Sequence, residues 1–172
     1  MTIKGISANI TVLNKEIIMK ITASLPKPTV KPFNVKGKDL DELFAALEKH
    51  GFWGRFLANE AVNWGSKDPV ETVKFSAKPV IHMPKWTDYS KADKPSKDSF
   101  DKMYKVLLKH ENNHYAIMLE QFAIFSNELN NLDTLSAKDA KKKWKEFLVT
   151  YNNAQKKYDD KTDHGIKEGV EL

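Results

Sequence analysis

The chain has 172 residues, a formal net charge of +5 and no cysteine. A chain of this length can bury a hydrophobic core without disulfides or a structural metal. The lack of cysteine excludes disulfide bonds and thiolate ligands, so His, Asp, Glu or Tyr must hold any transition metal. No segment is long and apolar enough to cross a bilayer, and we therefore expect no transmembrane segment.

The positive charge raises the question of an acidic partner. Arg55 is the only arginine, whereas recognition of phosphates and base edges favours the planar guanidinium group. Lysines are interleaved with acidic residues, which is typical of solvated surface faces. We expect no nucleic-acid partner. The basic run from Lys141 to Lys143 is typical of a solvated helix face, and a polyanion site is the alternative interpretation.

The first elements in chain order are strands. The segments "ISANITVL" and "EIIMKITASL" are rich in β-branched residues, and they predict a hairpin across a short break. Pro26, Pro28 and Pro32 then predict an extended, non-helical connection.

A helix is predicted in "KGKDLDELFAALEKHG". Asp39 and Glu42 form a capping-box pattern at its start, and Gly51 offers a C-terminal stop. The segments "EAVNW" and "ETVKFSAKPVIHMP" predict two further strands, because the second alternates apolar and polar residues.

The second half of the chain predicts two helices. Ser96 is the expected N-cap of a long one, and Ser136, with Asp139 three residues on, opens the last one, which we expect to end near Tyr158. Residues at spacings of three and four form the inward face of the long helix: Phe100, Met103, Leu107, His110, His114, Ile117, Gln121 and Phe125.

This order of elements predicts the α+β class, with a small, mostly antiparallel sheet packed against the long helix and a C-terminal helix. We expect one domain over residues 1–172. Within it, residues 1–32 supply the N-terminal strands and the proline-containing connection.

The segment "HENNH", His110 to His114, matches the pattern H-E-x-x-H. On a helix, residues four apart lie one above the other, so both imidazoles can reach one ion, and Glu111 then faces a metal-bound water as general base. Burying two histidines without partners would cost about 1–3 kcal/mol each, which a bound cation removes. The pattern predicts a zinc site. The alternative is that the two histidines form hydrogen bonds in a core or line an empty cleft, which would give the same sequence pattern.

A catalytic zinc usually has three protein ligands and one open position for water. Glu120 points away from the histidine stripe, and Glu128 lies where the helix should stop. No histidine follows at the spacing of the metzincins. His164 is the better candidate, because the glycine after it allows a sharp turn as the ring is presented. Its alternative reading is an ordinary surface residue in a polar tail.

Several of these segments together resemble a known family. "FNVKGKDLDELFAALEKHG", "AVNW", "VIHMPKW", "HENNH" and "YDDKTDHGIKEG" occur in the order found in a bacterial domain family of unknown function described as predicted secreted zinc-dependent proteases. The resemblance covers residues 33–169. It rests on "VKG" before the first helix, "MPKW" before the active-site helix, and the closing "YDDKTDHG".

The resemblance implies a zincin-like fold and a zinc-dependent metallopeptidase that hydrolyses peptide bonds in a peptide or protein substrate. It implies one zinc ion per chain, with His110, His114 and His164 as ligands and Glu111 as general base. It also implies a secreted or periplasmic protein, although the N-terminus shown has no signal-peptide pattern.

Three more residues are candidates for the same chemistry. Tyr158 precedes His164 by less than two helical turns and could donate a hydrogen bond to the oxyanion, although packing on a helix face is the simpler explanation. The segment "VIHMPKW" could be the sheet edge that aligns an extended peptide, with His82 and Trp86 as contacts. A lone strand histidine is otherwise exposed or hydrogen-bonded.

Two other function classes fit the sequence. A catalytically inactive zincin-like domain that binds or regulates a partner would bind metal or peptide without hydrolysis that a chelator can stop. A lysine-rich polyanion binder would show an affinity that falls steeply with salt and does not depend on His110 or His114. The sequence does not predict the oligomeric state, and imidazole ligands also accept divalent ions other than zinc.

Overall fold

The computed structural model describes residues 19–172. The first strand of the predicted hairpin, "ISANITVL", lies outside this range. The described chain has these strands and helices in order: β1 (Lys20–Ser24), β2 (Thr29–Val35), α1 (Leu40–His50), β3 (Arg55–Leu57), β4 (Ala61–Asn63), β5 (Thr72–Ser76), β6 (Val80–Trp86), α2 (Lys94–Asn130) and α3 (Ala137–Thr162). The predicted α+β class is confirmed.

The strands form two small mixed sheets, with the orders β1-β5-β4 and β2-β6-β3. In each sheet the central strand pairs in parallel with one neighbour and antiparallel with the other. The expectation of one mostly antiparallel sheet is therefore wrong. The parallel pairs arise because α1, β3 and β4 separate β1 and β2 from their partners along the chain.

Prolines explain why there are two sheets. The chain from β1 to β2 runs beside the chain from β5 to β6. The pairing register changes between the two sheets: Lys20 pairs with Thr72, 52 residues later, whereas Thr29 pairs with Val80, 51 residues later. The breaks contain Pro26, Pro28 and Pro79, which cannot donate to a ladder. Strand β2 itself falls inside the predicted proline-containing connection, and it contains Pro32 as an edge strand can.

The helix ends follow local chemistry. The Asp39 side chain accepts a hydrogen bond from the backbone N–H of Glu42 at 2.9 Å, and Gly51 caps α1 in the left-handed conformation, as predicted. Helix α2 begins earlier than expected, because Asp93, and not Ser96, is its N-cap. Pro95 lies in the first turn, where its missing N–H is not needed.

Helix α3 begins after the predicted N-cap, Ser136, whose hydroxyl accepts from the backbone N–H of Asp139 at 3.1 Å. It ends at Thr162, about one turn later than expected. This extra turn keeps Asp159 on the helix, where its side chain lies beside His110 and His114. None of the helices in residues 19–172 is both long and apolar enough to cross a membrane.

Two apolar clusters lie along α2. The cluster at its N-terminal half includes Leu43, Leu47, Ile81 and Met83, and the cluster at its C-terminal half is rich in aromatic rings. Between Leu107 and Met118 the buried residues of α2 are polar: His110, Glu111 and His114. The fold thus places a polar segment between two hydrophobic cores.

Candidate metal centre

The H-E-x-x-H segment lies in the middle of α2 and faces inward, as predicted. His110 is 3% exposed, Glu111 4% and His114 7%. Burial of three such polar side chains requires a partner for each of their donors and acceptors. The identity of those partners shows what the site can hold.

Each histidine donates its Nδ1 proton away from the other. His110 Nδ1 lies 2.8 Å from Glu168 Oε2, and His114 Nδ1 lies 2.6 Å from Gln155 Oε1. The Gln155 amide donates to the His114 carbonyl at 3.1 Å, which fixes its oxygen toward the ring. Because both partners accept, the matching tautomer carries its proton on Nδ1 and leaves a lone pair at Nε2.

The two Nε2 atoms then converge with a carboxylate oxygen. His110 Nε2 and His114 Nε2 are 3.2 Å apart, and Asp159 Oδ1 lies 3.3 Å from the first and 2.9 Å from the second. Three lone-pair atoms at such distances repel one another. One proton between two of them satisfies a single contact, whereas a cation satisfies all three.

The distances suit a small ion. Ligand atoms about 2.0–2.1 Å from a tetrahedral zinc are separated by about 3.3 Å, which is close to the three separations found here. Two imidazoles and one carboxylate are also a ligand set that catalytic zinc uses. The residues present therefore fit a zinc ion at His110, His114 and Asp159.

Asp159 is the site residue that the sequence analysis missed. The last helix was expected to end at Tyr158, which assigned Asp159 to a polar tail. Because α3 continues to Thr162, Asp159 shares one helix face with Gln155 and Tyr151 at spacings of four residues. The sequence shows only the shared helix face, because the contact of Gln155 with His114 joins residues 41 positions apart.

His164, the expected third ligand, lies beside this group. Its side chain is 77% exposed, and its Nδ1 is 4.0 Å from Asp159 Oδ1. Gly165 has a φ of +91°, and a Cβ there would lie 2.7 Å from a Val170 methyl and 3.4 Å from the His110 ring. The turn therefore requires glycine at Gly165, while the role of His164 as a ligand stays a prediction.

Glu111, the predicted base, is held close to the converging atoms. Burial raises its pKa to about 8, the nearby Asp159 carboxylate adds to the rise, and the backbone N–H of Phe56 partly offsets it. A Cβ on Gly54 would lie 2.6 Å from Glu111 Oε1. Gly54 is therefore needed to leave space for this carboxylate, and a nearby cation would lower the pKa of Glu111.

Tyr158 packs against the metal group, by which we mean the candidate ligands His110, His114 and Asp159. Its ring stacks on His110 at a centroid distance of 4.9 Å, its hydroxyl donates to Glu168 at 2.9 Å, and it accepts from Asn113 Nδ2 at 2.8 Å. Burial raises the pKa of Tyr158 to about 12, and Glu168 adds to the rise. Burial alone would raise the pKa of Glu168, but the hydrogen bonds from His110 and Tyr158 lower it. The predicted role of Tyr158 as an oxyanion donor stays a prediction.

The strand expected to bind substrate is the central strand of its sheet. Strand β6 pairs with β2 over residues 80–86 and with β3 only over residues 80–82, so the alignment of a peptide along its second half stays a prediction. Trp86 is 4% exposed and donates its indole N–H to the Gly37 carbonyl at 2.7 Å, and His82 is half-buried on the same strand. The outer strands of this sheet are β2 and β3, and β3 lies beside the candidate ligands, with the Phe56 ring parallel to the His114 ring.

A cleft of about 1050 Å³ opens at this place. Residues 51–60, including β3, form one wall, and α1, α2, α3 and the C-terminal turn form the others. His110, Glu111, His114, Asp159 and His164 all line it. An extended chain laid along β3 would pass the converging ligand atoms.

The fold and site define an α+β protein with a candidate His-His-Asp metal centre in an open cleft. A family model described as "Bacterial protein of unknown function (DUF922)" matches residues 30–165, and the chain belongs to this family. No curated protein and no solved structure matched the chain.

Proposed function

We propose that the protein is a zinc-dependent metallopeptidase that hydrolyses peptide bonds, with Glu111 as general base. The convergence of His110 Nε2, His114 Nε2 and Asp159 Oδ1 beside the buried Glu111 carboxylate carries the proposal. The outer strand β3, which lines the same cleft, supports a peptide as the substrate.

A bound zinc ion would supply a polarised carbonyl and a water of lowered pKa. The residues of the chain do the remaining work. The carboxylate of Glu111 accepts a proton from the attacking water and passes it to the leaving amide nitrogen. Burial limits the access of bulk water to this carboxylate, and the lack of a side chain on Gly54 leaves the space that it occupies.

Asp159 and His164 compete for the third ligand position in this proposal. Catalytic zinc keeps one position open, whereas four protein ligands make a closed, structural site. Asp159 is favoured because its Oδ1 already lies within 3.3 Å of both Nε2 atoms. His164 can still bind, because it lines the cleft beside Asp159.

The test uses the full chain loaded with one equivalent of zinc and incubated with unfolded casein. New amino termini are counted with an amine-reactive dye, and cleavage products are identified by mass spectrometry. We expect cleavage that EDTA abolishes, and a rate at least about 100-fold lower in Glu111→Gln, because general-base catalysis contributes that much or more.

Glu120→Gln is the matched control, since Glu120 is an exposed glutamate on the same helix. It should cleave at the parent rate. Cleavage that persists in Glu111→Gln would contradict the proposed base. Zinc uptake without cleavage by the parent would leave a metal-binding domain without turnover and overturn the peptidase proposal.

A further inference from the structure

The cleft has two chemically different ends. At one end Phe44, Leu47, Trp53 and Leu107 line it, and at the other Glu60 and Tyr151 do. The metal group lies between them. This asymmetry bears on which peptides the cleft accepts, and it rests on the proposed function.

Contacts fix the order of groups along the cleft. Gly54 lies against the side chains of Leu107 and Glu111. Two residues on, the Phe56 ring is parallel to the His114 ring at a centroid distance of 6.3 Å. After β3 ends, Glu60 lines the cleft together with Tyr151 on α3, close enough to add to the rise that burial causes in the pKa of the Tyr151 hydroxyl. Residues 53–60 therefore run from the apolar end, past the metal group, to the acidic end.

The apolar end has an aromatic rim. Phe44 is 47% exposed and meets Trp53 edge to face at a centroid distance of 5.5 Å. The Trp53 indole N–H donates to Glu48 at 2.9 Å, which holds the ring in place. Below the rim, Leu47 and Leu107 are at most 2% exposed. A preformed apolar recess thus lies one helical turn from His110.

A second exposed apolar residue lies across the cleft mouth. Ile166, in the turn after α3, is 61% exposed and lines the cleft. Large apolar side chains gain free energy when a ligand covers them. Phe44 and Ile166 belong to neither apolar cluster of the fold. Their exposed side chains at the mouth therefore suit contact with an apolar side chain of a bound peptide.

The acidic end offers a charge without a cationic partner. Among residues 19–172, the salt bridges involve other acidic side chains and not Glu60. Glu60 is half-buried and lines the cleft beside Tyr151. A carboxylate with two oxygens can accept from a cation. This end suits a lysine or arginine side chain.

We propose that the cleft selects extended peptides with a large apolar or aromatic side chain on one side of the metal centre and a basic side chain on the other. Phe44 and Trp53 bind the apolar side chain, above the buried Leu107, and Glu60 binds the basic one. Pairing with the outer strand β3 aligns the peptide between these two recognition points.

The test measures binding and does not need turnover. Fluorescein-labelled octapeptides carrying Lys and Phe two residues apart, in both orders, are titrated with the full chain in EDTA. Matched peptides replace Phe by Ala or Lys by Glu. We expect at least about 10-fold weaker binding after Phe is replaced by Ala, because the peptide loses the burial of a large apolar side chain.

Two variants assign the preference to its residues. Phe44→Ala should reduce the preference for Phe over Ala to below about three-fold, and Glu60→Gln should remove the preference for Lys over Glu. Val149→Ala and Glu146→Gln are controls, because both residues are exposed on α3 and neither lines the cleft. Circular dichroism checks that every variant is folded.

The outcomes separate this inference from the proposed function. A preference that the parent lacks, or that Phe44→Ala and Glu60→Gln both retain, would overturn the inference even if zinc-loaded protein cleaves casein. A preference that disappears in these variants supports the inference, whether or not the zinc-loaded protein shows turnover.

Discussion

Helices α2 and α3 meet at two places, one lined by aromatic rings and the other by polar side chains. At the first, Phe147 packs on Phe122 and Phe125 with centroid distances of 4.9 and 4.6 Å. At the second, Gln155 contacts His114 at 2.6 Å, and Tyr158 accepts from Asn113 at 2.8 Å. The same two helices thus form an apolar, aromatic interface and a hydrogen-bonded one.

The two interfaces contribute to stability in different ways. Aromatic burial stabilises the fold in proportion to the apolar area removed from water. The polar interface gains little from burial, because each buried donor or acceptor must first recover the hydrogen bond it lost to water. The three lone-pair atoms of His110, His114 and Asp159 would recover it with a cation. We therefore assign stability to the aromatic interface and propose the polar interface as the metal site.

The largest effect is expected from removing an aromatic ring. Phe122 is 1% exposed and contacts Phe75, Trp144 and Phe147. Phe122→Ala should lower the free energy of unfolding by about 3–5 kcal/mol, because it removes apolar burial and leaves a cavity. Urea unfolding measures this, with the 46% exposed Ile124 changed to Ala as the control. A loss below about 1 kcal/mol would contradict the assignment of this interface to stability.

The second prediction removes a candidate ligand. Asp159→Asn should weaken zinc affinity by more than about 100-fold, beyond the loss typical of an outer hydrogen-bond partner. Competition with a chelator of known affinity measures it. Asp160→Asn is the matched control, because Asp160 is exposed and pairs with Lys156. Equal affinity in the parent and Asp159→Asn would assign the third position to another residue, His164 first.

The third prediction concerns the residue that orients a ligand. Glu168→Gln removes the carboxylate that accepts from His110 Nδ1, and zinc affinity should fall by about 10–100-fold. Glu171→Gln, an exposed neighbour whose carboxylate lies 3.5 Å from Lys102, should leave the affinity unchanged. If both variants bind zinc as the parent does, Glu168 does not orient His110.

The last prediction is a pH dependence of the metal-free protein. Because burial raises the pKa of Glu111 from 4.5 to about 8, the folded chain keeps a proton there that the unfolded chain has released. The free energy of unfolding should therefore fall as pH rises from about 4.5 to 8, by at most about 1.4 kcal/mol per pH unit. Glu111→Gln should remove this slope in urea unfolding with EDTA. Equal slopes in the two proteins would show that Glu111 does not cause it.

Local signals in the sequence predicted the helix positions well. The caps of α1 and the N-cap of α3 depend on side chains within three residues of the helix start or on one glycine after its end, so they can be found without tertiary contacts. The inward face of α2 followed from its periodicity as far as His114, but beyond it the structure buries Met118 and Phe122 instead of the predicted Ile117 and Gln121. Strand β2 was missed because the prolines that precede and interrupt it read as a connection, and only pairing with β6 reveals the strand.

The site was predicted where it lies on one helix and missed where it joins two. His110, Glu111 and His114 follow from a spacing of four residues on α2. Asp159 and the orienting residues Gln155 and Glu168 come from α3 and the turn after it, and no local spacing ties them to α2. Their positions depend on how the two helices pack, which the sequence pattern does not contain.

The most direct test of the metal centre is the zinc content of the full chain. The chain is purified without chelator or metal-affinity resin, beside His114→Ala, His164→Ala and, as control, the exposed His50→Ala. We predict about one zinc per chain in the parent and in His50→Ala, and a clear loss in His114→Ala; a loss in His164→Ala would add His164 to the ligands. A parent that stays metal-free after zinc is added, or a His114→Ala variant that binds zinc equally well, would contradict the account.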